Sequence, residues 1–438
     1  MAIENTTRSP AGAVTEAGEI REDAGGHRLG TGAAPLAVWL VTRTVLLLVV
    51  LGVLVAPGPD VTPDVSVTYQ GWYDVLRSGT FPRSDVTWQY PPAAAFAILS
   101  PALLPFLGYA PAFFTLCLLC DALVLALLLR AGRRPGHSAR GAWVWVAGVA
   151  VLGPTGYARY DVMVTAVAVC ALLAGLRRPQ LLGALAGFGA LLKVWPVLLL
   201  IGTERGRATR LAWSAAAATA LALLAALSAV LPGALDFLTA QRDRGTEVES
   251  LGALVFHVAR HLGWDGVVMF SYGSVEFRGP YVPLVSALAL LLSAVAFGWL
   301  LVWRLKAATL RGADLGDAAF TAVLLFTVTS RVISPQYMIW LVGLAAVCLL
   351  RRSATMTRPA VLVVAASAVT VLEFPLFFSH VTASDWLGVT LLAVRNGLLV
   401  AATLSACRRL WRATVPDPRT PARGDTAEPV DRKAPAGP

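Results

Sequence analysis

The sequence predicts an all-α, polytopic membrane protein: a bundle of about 10–12 transmembrane or half-crossing helices with two long extracytoplasmic loops. Three observations carry this. Hydrophobic residues make up 57% of the chain and charged residues only 14%, and the mean hydropathy of +0.67 exceeds what soluble globular domains normally reach. Apolar runs such as Pro35 to Ala56, Ala110 to Leu129, Leu211 to Leu231, Pro280 to Trp303 and Pro359 to Phe374 approach the ~20 residues that a helix needs to cross hydrocarbon. Arginines gather in short segments between such runs, as they do in cytoplasmic loops of membrane proteins.

Residues 1–34 mix acidic, basic and small residues without apolar periodicity, so a disordered tail is expected there. They hold no cleavable signal, because the first apolar run starts late and is long enough to stay in the membrane. That run, 37–56, opens a membrane domain spanning 35–410. It is followed by a first extracytoplasmic loop, 57–91, and by candidate spans at 92–107, 110–129, 142–158, 161–176, 181–201 and 207–231. A second extracytoplasmic loop, 232–279, contains Val248, Leu251, Leu254, Val255, Val258 and Leu262 at helical spacing, with Glu249, His257, Arg260 and His261 on the other side. This pattern predicts an amphipathic helix lying in the interface. Spans at 280–303, 317–330, 335–350, 359–375 and 387–407 complete the domain, and the Pro- and Arg-rich segment 411–438 forms a disordered cytoplasmic tail.

The positive-inside rule places Arg130–Arg140, Arg177–Arg178, Arg304–Arg311 and Arg351–Arg358 in the cytoplasm. If 92–107 and 181–201 both cross fully, the Arg130–Arg140 loop lands outside; if both are half-crossing, it lands inside. Either way both long loops share one face. The net charge of +10 therefore reflects topology, and no nucleic-acid partner is implied. Five cysteines, Cys117, Cys120, Cys170, Cys348 and Cys407, fall in or at the end of apolar spans. Their odd number and the lack of a second CxxC pair imply neither a disulfide framework nor a metal site.

Ionisable groups at membrane depth are costly and tend to face a cavity or a partner. Here they are Arg43, Asp121, Arg159, Asp161, Lys193, Arg331, Glu373 and Arg395. Arg159 and Asp161 follow Gly153-Pro154-Thr155-Gly156, Lys193 precedes Pro196, and Arg331 precedes Pro335. Interrupted backbone in a membrane is tolerated mainly where it lines a cavity. Each residue also has a plainer explanation. Arg159 and Asp161 could pair with each other, Lys193 could snorkel to a headgroup, Asp121 suits helix packing, and Arg43 could mark the cytoplasmic part of the first span. Together with the first loop, which carries Asp64, Asp74 and Asp85, they point to an active site for an anionic, lipid-linked substrate. In TWQYPPAAA, Pro91 and Pro92 start a helix without needing backbone donors, while Trp88 and Tyr90 suit the interface. SRVISPQYMIW repeats the design and adds Arg331 and Gln336 as donors for a phosphate or sugar.

The order of an acidic residue after the first span, Tyr69, Gly79, Trp88-Gln89-Tyr90-Pro91-Pro92, Arg159-Tyr160-Asp161, Leu192-Lys193-Val194-Trp195-Pro196, Glu249-Ser250, Ser334-Pro335-Gln336-Tyr337 and Arg395-Asn396 resembles glycosyltransferase family 87. These are the actinobacterial polyprenyl-phosphate-mannose-dependent alpha-mannosyltransferases of the GT-C superfamily and their relatives. The resemblance covers residues 35 to 410. It implies a GT-C-type bundle in the plasma membrane with its active site on the extracytoplasmic side, a polyprenyl phosphate sugar as donor, and a glycolipid or glycan as acceptor. It also implies a catalytic Asp in the first loop. Asp64 fits, although it stands five residues before Tyr69 where the family often has four, which leaves Asp60 as second choice and Asp85 as third. Asp64 would act as general base on the acceptor hydroxyl with inversion at the anomeric carbon. Tyr69, Asp85, Gln89, Tyr90, Arg159, Asp161, Lys193, Arg331, Gln336, Tyr337 and Arg395 would bind substrate, with Arg331 and Lys193 on the leaving phosphate and Arg159 or Arg395 behind them. One carboxylate suffices, because phosphate leaves without needing a proton. No cofactor is expected; Asp60 and Asp64 could join a divalent cation, but two carboxylates alone make a weak claim. The alternative is a transporter or flippase of a polar lipid-linked sugar, which would predict inverted repeats; none is visible between the halves.

Overall fold

The computed structural model describes residues 16–239, 244–308, 310 and 312–416. The chain starts in α1 (Glu16–Val50), so the described part of the expected N-terminal tail is helical, and the rest of it lies outside the described residues. The first loop carries a π-helical turn, Asp64–Tyr69, running directly into α2 (Gln70–Arg77). There follow α3 (Ala94–Leu99), α4 (Tyr109–Gly132), α5 (Arg140–Leu152), α6 (Asp161–Gly175), α7 (Pro179–Leu192) and α8 (Arg207–Val230). The second loop contains β1 (Thr246–Glu247), α9 (Ala253–Arg260), β2 (Val267–Ser271) and β3 (Ser274–Arg278). After it come α10 (Val282–Lys306), α11 (Gly312–Thr329), α12 (Tyr337–Cys348), α13 (Thr357–Val371), α14 (Phe378–Ala383) and α15 (Trp386–Thr414).

The architecture is an all-α polytopic membrane bundle. Among the described residues, six helices are long and apolar enough to cross a membrane: Gly32–Val50, Tyr109–Gly132, Arg207–Val230, Val282–Lys306, Thr357–Leu376 and Trp386–Thr414. Ala94–Leu103 is too short; at 1.5 Å per residue it reaches about 15 Å, half of the ~30 Å hydrocarbon layer. The predicted span 181–201 also breaks. α7 stops where Lys193 turns extended (φ −157°, ψ 138°), and a 3₁₀ turn, Trp195–Gly202, follows, because Pro196 cannot supply a helical N–H.

These breaks set which segments share a face. The Ser138 N–H donates to the Leu350 carbonyl at 2.8 Å, and Arg140 donates to the carbonyls of Arg351 and Arg352 at 2.8 and 2.5 Å. Arg205 reaches the Leu305 carbonyl at 2.8 Å, and Arg409 reaches that of Thr355 at 2.6 Å. The arginine-rich turns thus gather on one face. The two long loops meet each other on the opposite one, where Gln89 donates to the Tyr272 carbonyl at 2.6 Å and Arg83 pairs with Asp236 at 2.8 Å.

α12 is buried on all sides from Met338 to Ala346, as expected of a helix apolar all round, and forms the bundle centre. α10 instead turns Leu284, Leu288, Leu291 and Val295 outward, a surface suited to acyl chains. α7 and α8 approach closely because Gly183 and Gly187, one turn apart, face Ala212 and Ala216; a Cβ at either glycine would run into a carbonyl oxygen.

One ion pair welds the first helices together. Asp121 of α4 accepts from Arg43 at 2.7 Å, from Trp39 and Tyr157 at 2.8 Å each, and from Trp145 at 2.7 Å, all buried. Asp121 is therefore a packing partner, and Arg43 is its counter-ion.

The second loop departs from the expected interfacial amphipathic helix in two ways. α9 is shorter, and its polar side faces inward: His257 is fully buried between the Ser384 hydroxyl and the Val248 carbonyl at 2.8 Å each. Val255, Val258 and Leu262 point out. Beyond α9 the chain forms a small antiparallel sheet in the order β1-β3-β2. Its β2–β3 turn is Tyr272-Gly273, both at positive φ (50° and 73°), the geometry of a two-residue hairpin turn.

Candidate active site

Where the two long loops meet the tops of α6, α7, α10, α11 and α12, they enclose a cavity of about 1120 Å³. Asp64, Tyr69, Asp85, Gln89, Tyr90, Arg159, Lys193, Arg331, Gln336 and Tyr337 all line it. Residues separated by more than 270 positions thus converge on one hollow.

Asp64 opens the π-helical turn of the first loop and forms an ion pair with Arg159; the Asp64 side chain remains 43% exposed, whereas Arg159 is mostly buried. Arg159 is presented by the break between α5 and α6: Gly153 takes φ +58°, a 3₁₀ turn runs over Gly153–Gly156, and the chain resumes as helix only at Asp161. Arg159 and Asp161 do not pair with each other. Their partners are Asp64 and Lys193 respectively.

The Lys193 ammonium lies 2.6 Å from Asp161 Oδ1 and 5.0–5.7 Å from the ring centroids of Tyr160, Trp340, Tyr90 and Tyr337. Four aromatic faces and a carboxylate form a cage that stabilises a cation away from water. Trp340 also donates to Asp161 Oδ1 at 2.6 Å. Lys193 therefore does not snorkel outward. Asp161 stands directly behind it, outside the cavity lining.

Asp85 is occupied. It accepts from Trp72 Nε1 at 2.7 Å, from the Thr87 N–H at 2.8 Å and from the Thr87 hydroxyl at 2.6 Å. Partial burial pushes its carboxyl up, but these hydrogen bonds outweigh it and hold the group below the usual carboxylate range. Asp60 caps its own turn through Thr62 at 2.9 Å and does not line the cavity. Gln89 bridges the loops, donating to Tyr272 and accepting from Arg244 at 3.0 Å.

Arg395 corrects the expectation. It does not line the cavity, because Glu373 takes its guanidinium in a bidentate contact at 2.7 and 2.8 Å with both side chains fully buried. Its links toward the site run through Glu249, 3.6 Å away, and through the Ile333 carbonyl at 3.5 Å.

Sequence reasoning did not assign a role to Arg244, Glu247 or Tyr272, all of which line the cavity. Arg244 donates to Glu276 at 2.9 Å and to the Ser274 hydroxyl at 2.6 Å, while Glu276 also meets Arg278 at 3.3 Å. Arg331 donates to the Arg244 carbonyl at 3.1 Å. Arg244, Arg278 and Arg331 thus gather around the buried Glu276, with the buried carboxyl groups of Glu247 and Glu249 on the same wall. The hairpin was legible, since Val267-Val-Met-Phe-Ser and Ser274-Val-Glu-Phe-Arg flank a Tyr-Gly pair; Arg244 carried no local signal.

The family model described as glycosyltransferase family 87 matches residues 88–335, more than half of the chain. The chain belongs to glycosyltransferase family 87. It is accordingly a glycosyltransferase, built as a multi-pass membrane protein. The matched stretch of this family 87 enzyme holds Gln89, Tyr90, Arg159, Lys193, Arg244 and Arg331, while Asp64 precedes it and Glu373 and Arg395 follow it. No curated protein and no solved structure matches the chain.

Proposed function

We propose that this glycosyltransferase transfers a hexosyl unit, mannose, from a polyprenyl phosphate donor to a glycolipid or glycan acceptor of the cell envelope, with inversion. The reaction would take place on the extracytoplasmic face of the plasma membrane. The observation that carries this is a single cavity lined both by the Asp64 carboxylate and by the guanidinium groups of Arg159, Arg244 and Arg331.

Three further features support the reading. The cavity continues along α10 and α11 past Leu290, Ser293, Phe297 and Phe326, and Leu290 and Phe297 remain exposed there, which suits an apolar chain lying against this wall. Its inner wall holds buried polar atoms without protein partners, Tyr69 Oη and Trp195 Nε1; such atoms are costly unless a ligand or water satisfies them, and sugar hydroxyls would do so. The gathering of arginines on the opposite face supports the assignment of sides.

In this mechanism Asp64, oriented by Arg159, removes the proton of an acceptor hydroxyl while that oxygen bonds to the anomeric carbon. The bond from that carbon to the phosphate oxygen breaks, and the phosphate leaves with the electron pair. Arg331 and Arg244 stabilise the charge that develops on it. Lys193, balanced by Asp161, shapes the aromatic floor beneath the sugar.

Membranes containing the protein, incubated with labelled polyprenyl-phosphate mannose, are expected to move label into a lipid or glycan fraction. Asp64→Asn is expected to lower transfer by about 10²–10⁴-fold with donor binding retained. Full activity in that variant would reassign the base. Movement of the donor across vesicles without transfer into any fraction would replace the reading with a transporter.

A further inference from the structure

Behind the cavity wall lies a cluster that the transfer mechanism does not use. Arg395 of α15 is bound on two edges by Glu373, which follows α13. Glu249, between β1 and α9, lines the cavity, and its Oε1 lies 3.6 Å from Arg395 Nη2, the same nitrogen that Glu373 Oε1 holds at 2.7 Å. All three are buried, and Glu249 Oε1 has no donor. The other acidic neighbour, Glu247 of β1, is satisfied by the Ile333 N–H at 2.5 Å and the Ser334 hydroxyl at 2.9 Å. From α9, His257 faces the same region, and burial keeps its imidazole below its ordinary range.

One guanidinium therefore confronts two carboxyl groups in a dry place. Two buried carboxylates sharing a single cation repel strongly and leave one negative charge unbalanced, so one of the pair keeps its proton. We propose that Glu249 is a positioning residue that works only as the neutral acid, sharing one proton with Glu373 opposite Arg395. That shared proton pins the second loop to the membrane helices and so holds Arg244 and Glu247 in the cavity wall. Its neighbours agree: Asn396, next to Arg395, donates to the carbonyls of Glu249 and Ser250 at 3.3 and 3.4 Å, and the Glu247 N–H donates to the Arg331 carbonyl at 3.1 Å. Burial first, then the charges of Glu373 and Glu247, raise the Glu249 carboxyl well above its ordinary range.

The sign of the pH dependence follows. A carboxyl raised in the folded state stabilises the fold below its unfolded value, and that contribution is lost as pH rises through the folded value. Glu249→Gln keeps a donor toward Glu373 but has no proton to lose.

The test is the unfolding of the detergent-solubilised full chain, measured from pH 4.5 to 9 for wild type and Glu249→Gln. The wild-type folded-to-unfolded ratio is expected to fall relative to the variant by roughly tenfold per pH unit across the titration, one proton's worth. Parallel curves over the whole range would overturn the inference. Should Glu249→Gln fail to fold, Glu373→Gln supplies the mirror case: Glu249 is then free to ionise against Arg395, and the wild-type pH slope should disappear; a slope that persists would overturn the inference. The consequence for turnover rests on the transfer reading, and there the alkaline limb of the wild-type transfer profile should be absent in Glu249→Gln. Because unfolding needs no donor, diverging unfolding curves support the shared proton even where no label is transferred, so the two readings fail separately.

Discussion

Replacing Asp161 by Asn tests the cage around Lys193 most directly. In the wild type the ammonium lies 2.6 Å from Asp161 Oδ1, with the lysine side chain 12% and the aspartate 1% exposed. Removing one partner of such a pair strands a buried charge at a cost of about 3–5 kcal/mol. The rings of Tyr160, Trp340, Tyr90 and Tyr337 still face the ammonium and offset roughly 1–2 kcal/mol of that. The net expectation for Asp161→Asn is a loss of about 1–4 kcal/mol, a large share of the ~5–15 kcal/mol that stabilises a typical domain. Lys193→Met strands Asp161 instead, with only the Trp340 indole at 2.6 Å to hold it, and should cost about 3–5 kcal/mol. The double variant removes both charges. Its loss should fall short of the summed single losses by about 2–3 kcal/mol. Equilibrium unfolding in mixed micelles, followed by tryptophan fluorescence, measures all four forms of the cycle. Additive losses, with a coupling below about 0.5 kcal/mol, would show that the cage holds no ion pair of consequence.

Two other expectations follow from the packing and from the first loop. Asp121→Asn leaves Arg43 buried without its anion and should cost about 3–5 kcal/mol in the same unfolding assay, yet donor affinity of the folded protein should stay unchanged, because neither residue lines the cavity; a weakened donor affinity would count against that separation. The carboxyl of Asp85 is held below its ordinary range by hydrogen bonds from Thr87 and Trp72, so it stabilises the fold above its unfolded value of about 3.9 and loses that contribution as pH falls through the lower folded value. Asp85→Asn should therefore flatten the acid limb of the unfolding midpoint against pH, and an unaltered limb would contradict the network drawn around Asp85.

Much of the fold was legible because its signals are local. Long apolar runs such as Val282–Lys306 need only their own composition to favour a membrane. The cavity residues at Trp88-Gln89-Tyr90 and Ser334-Pro335-Gln336-Tyr337 could be picked out because prolines and interfacial aromatics mark helix starts. At Lys193 and Pro196 the sequence shows the proline but leaves a full and a half crossing of 181–201 both open; the extended backbone at Lys193 breaks the helix there. A helix with one polar and one apolar side does not state which side faces the protein, and here His257 turns inward to Ser384. The extension of α1 back to Glu16 is likewise absent from a hydropathy reading, since the added turns are polar.

Composition, hydropathy and helix breakers by themselves determined that this chain is a membrane bundle, with two long loops on one face and charged residues beside interrupted helices, because each depends on neighbours along the chain. Only the tertiary structure decided the partners: Asp64 with Arg159, Asp161 with Lys193 rather than Arg159, and Arg395 with Glu373 behind the cavity rather than in it. A charge in a dry interior takes whichever counter-charge the packing brings within a few ångströms, and that distance has no counterpart in the sequence, where Glu249 and Arg395 stand 146 positions apart.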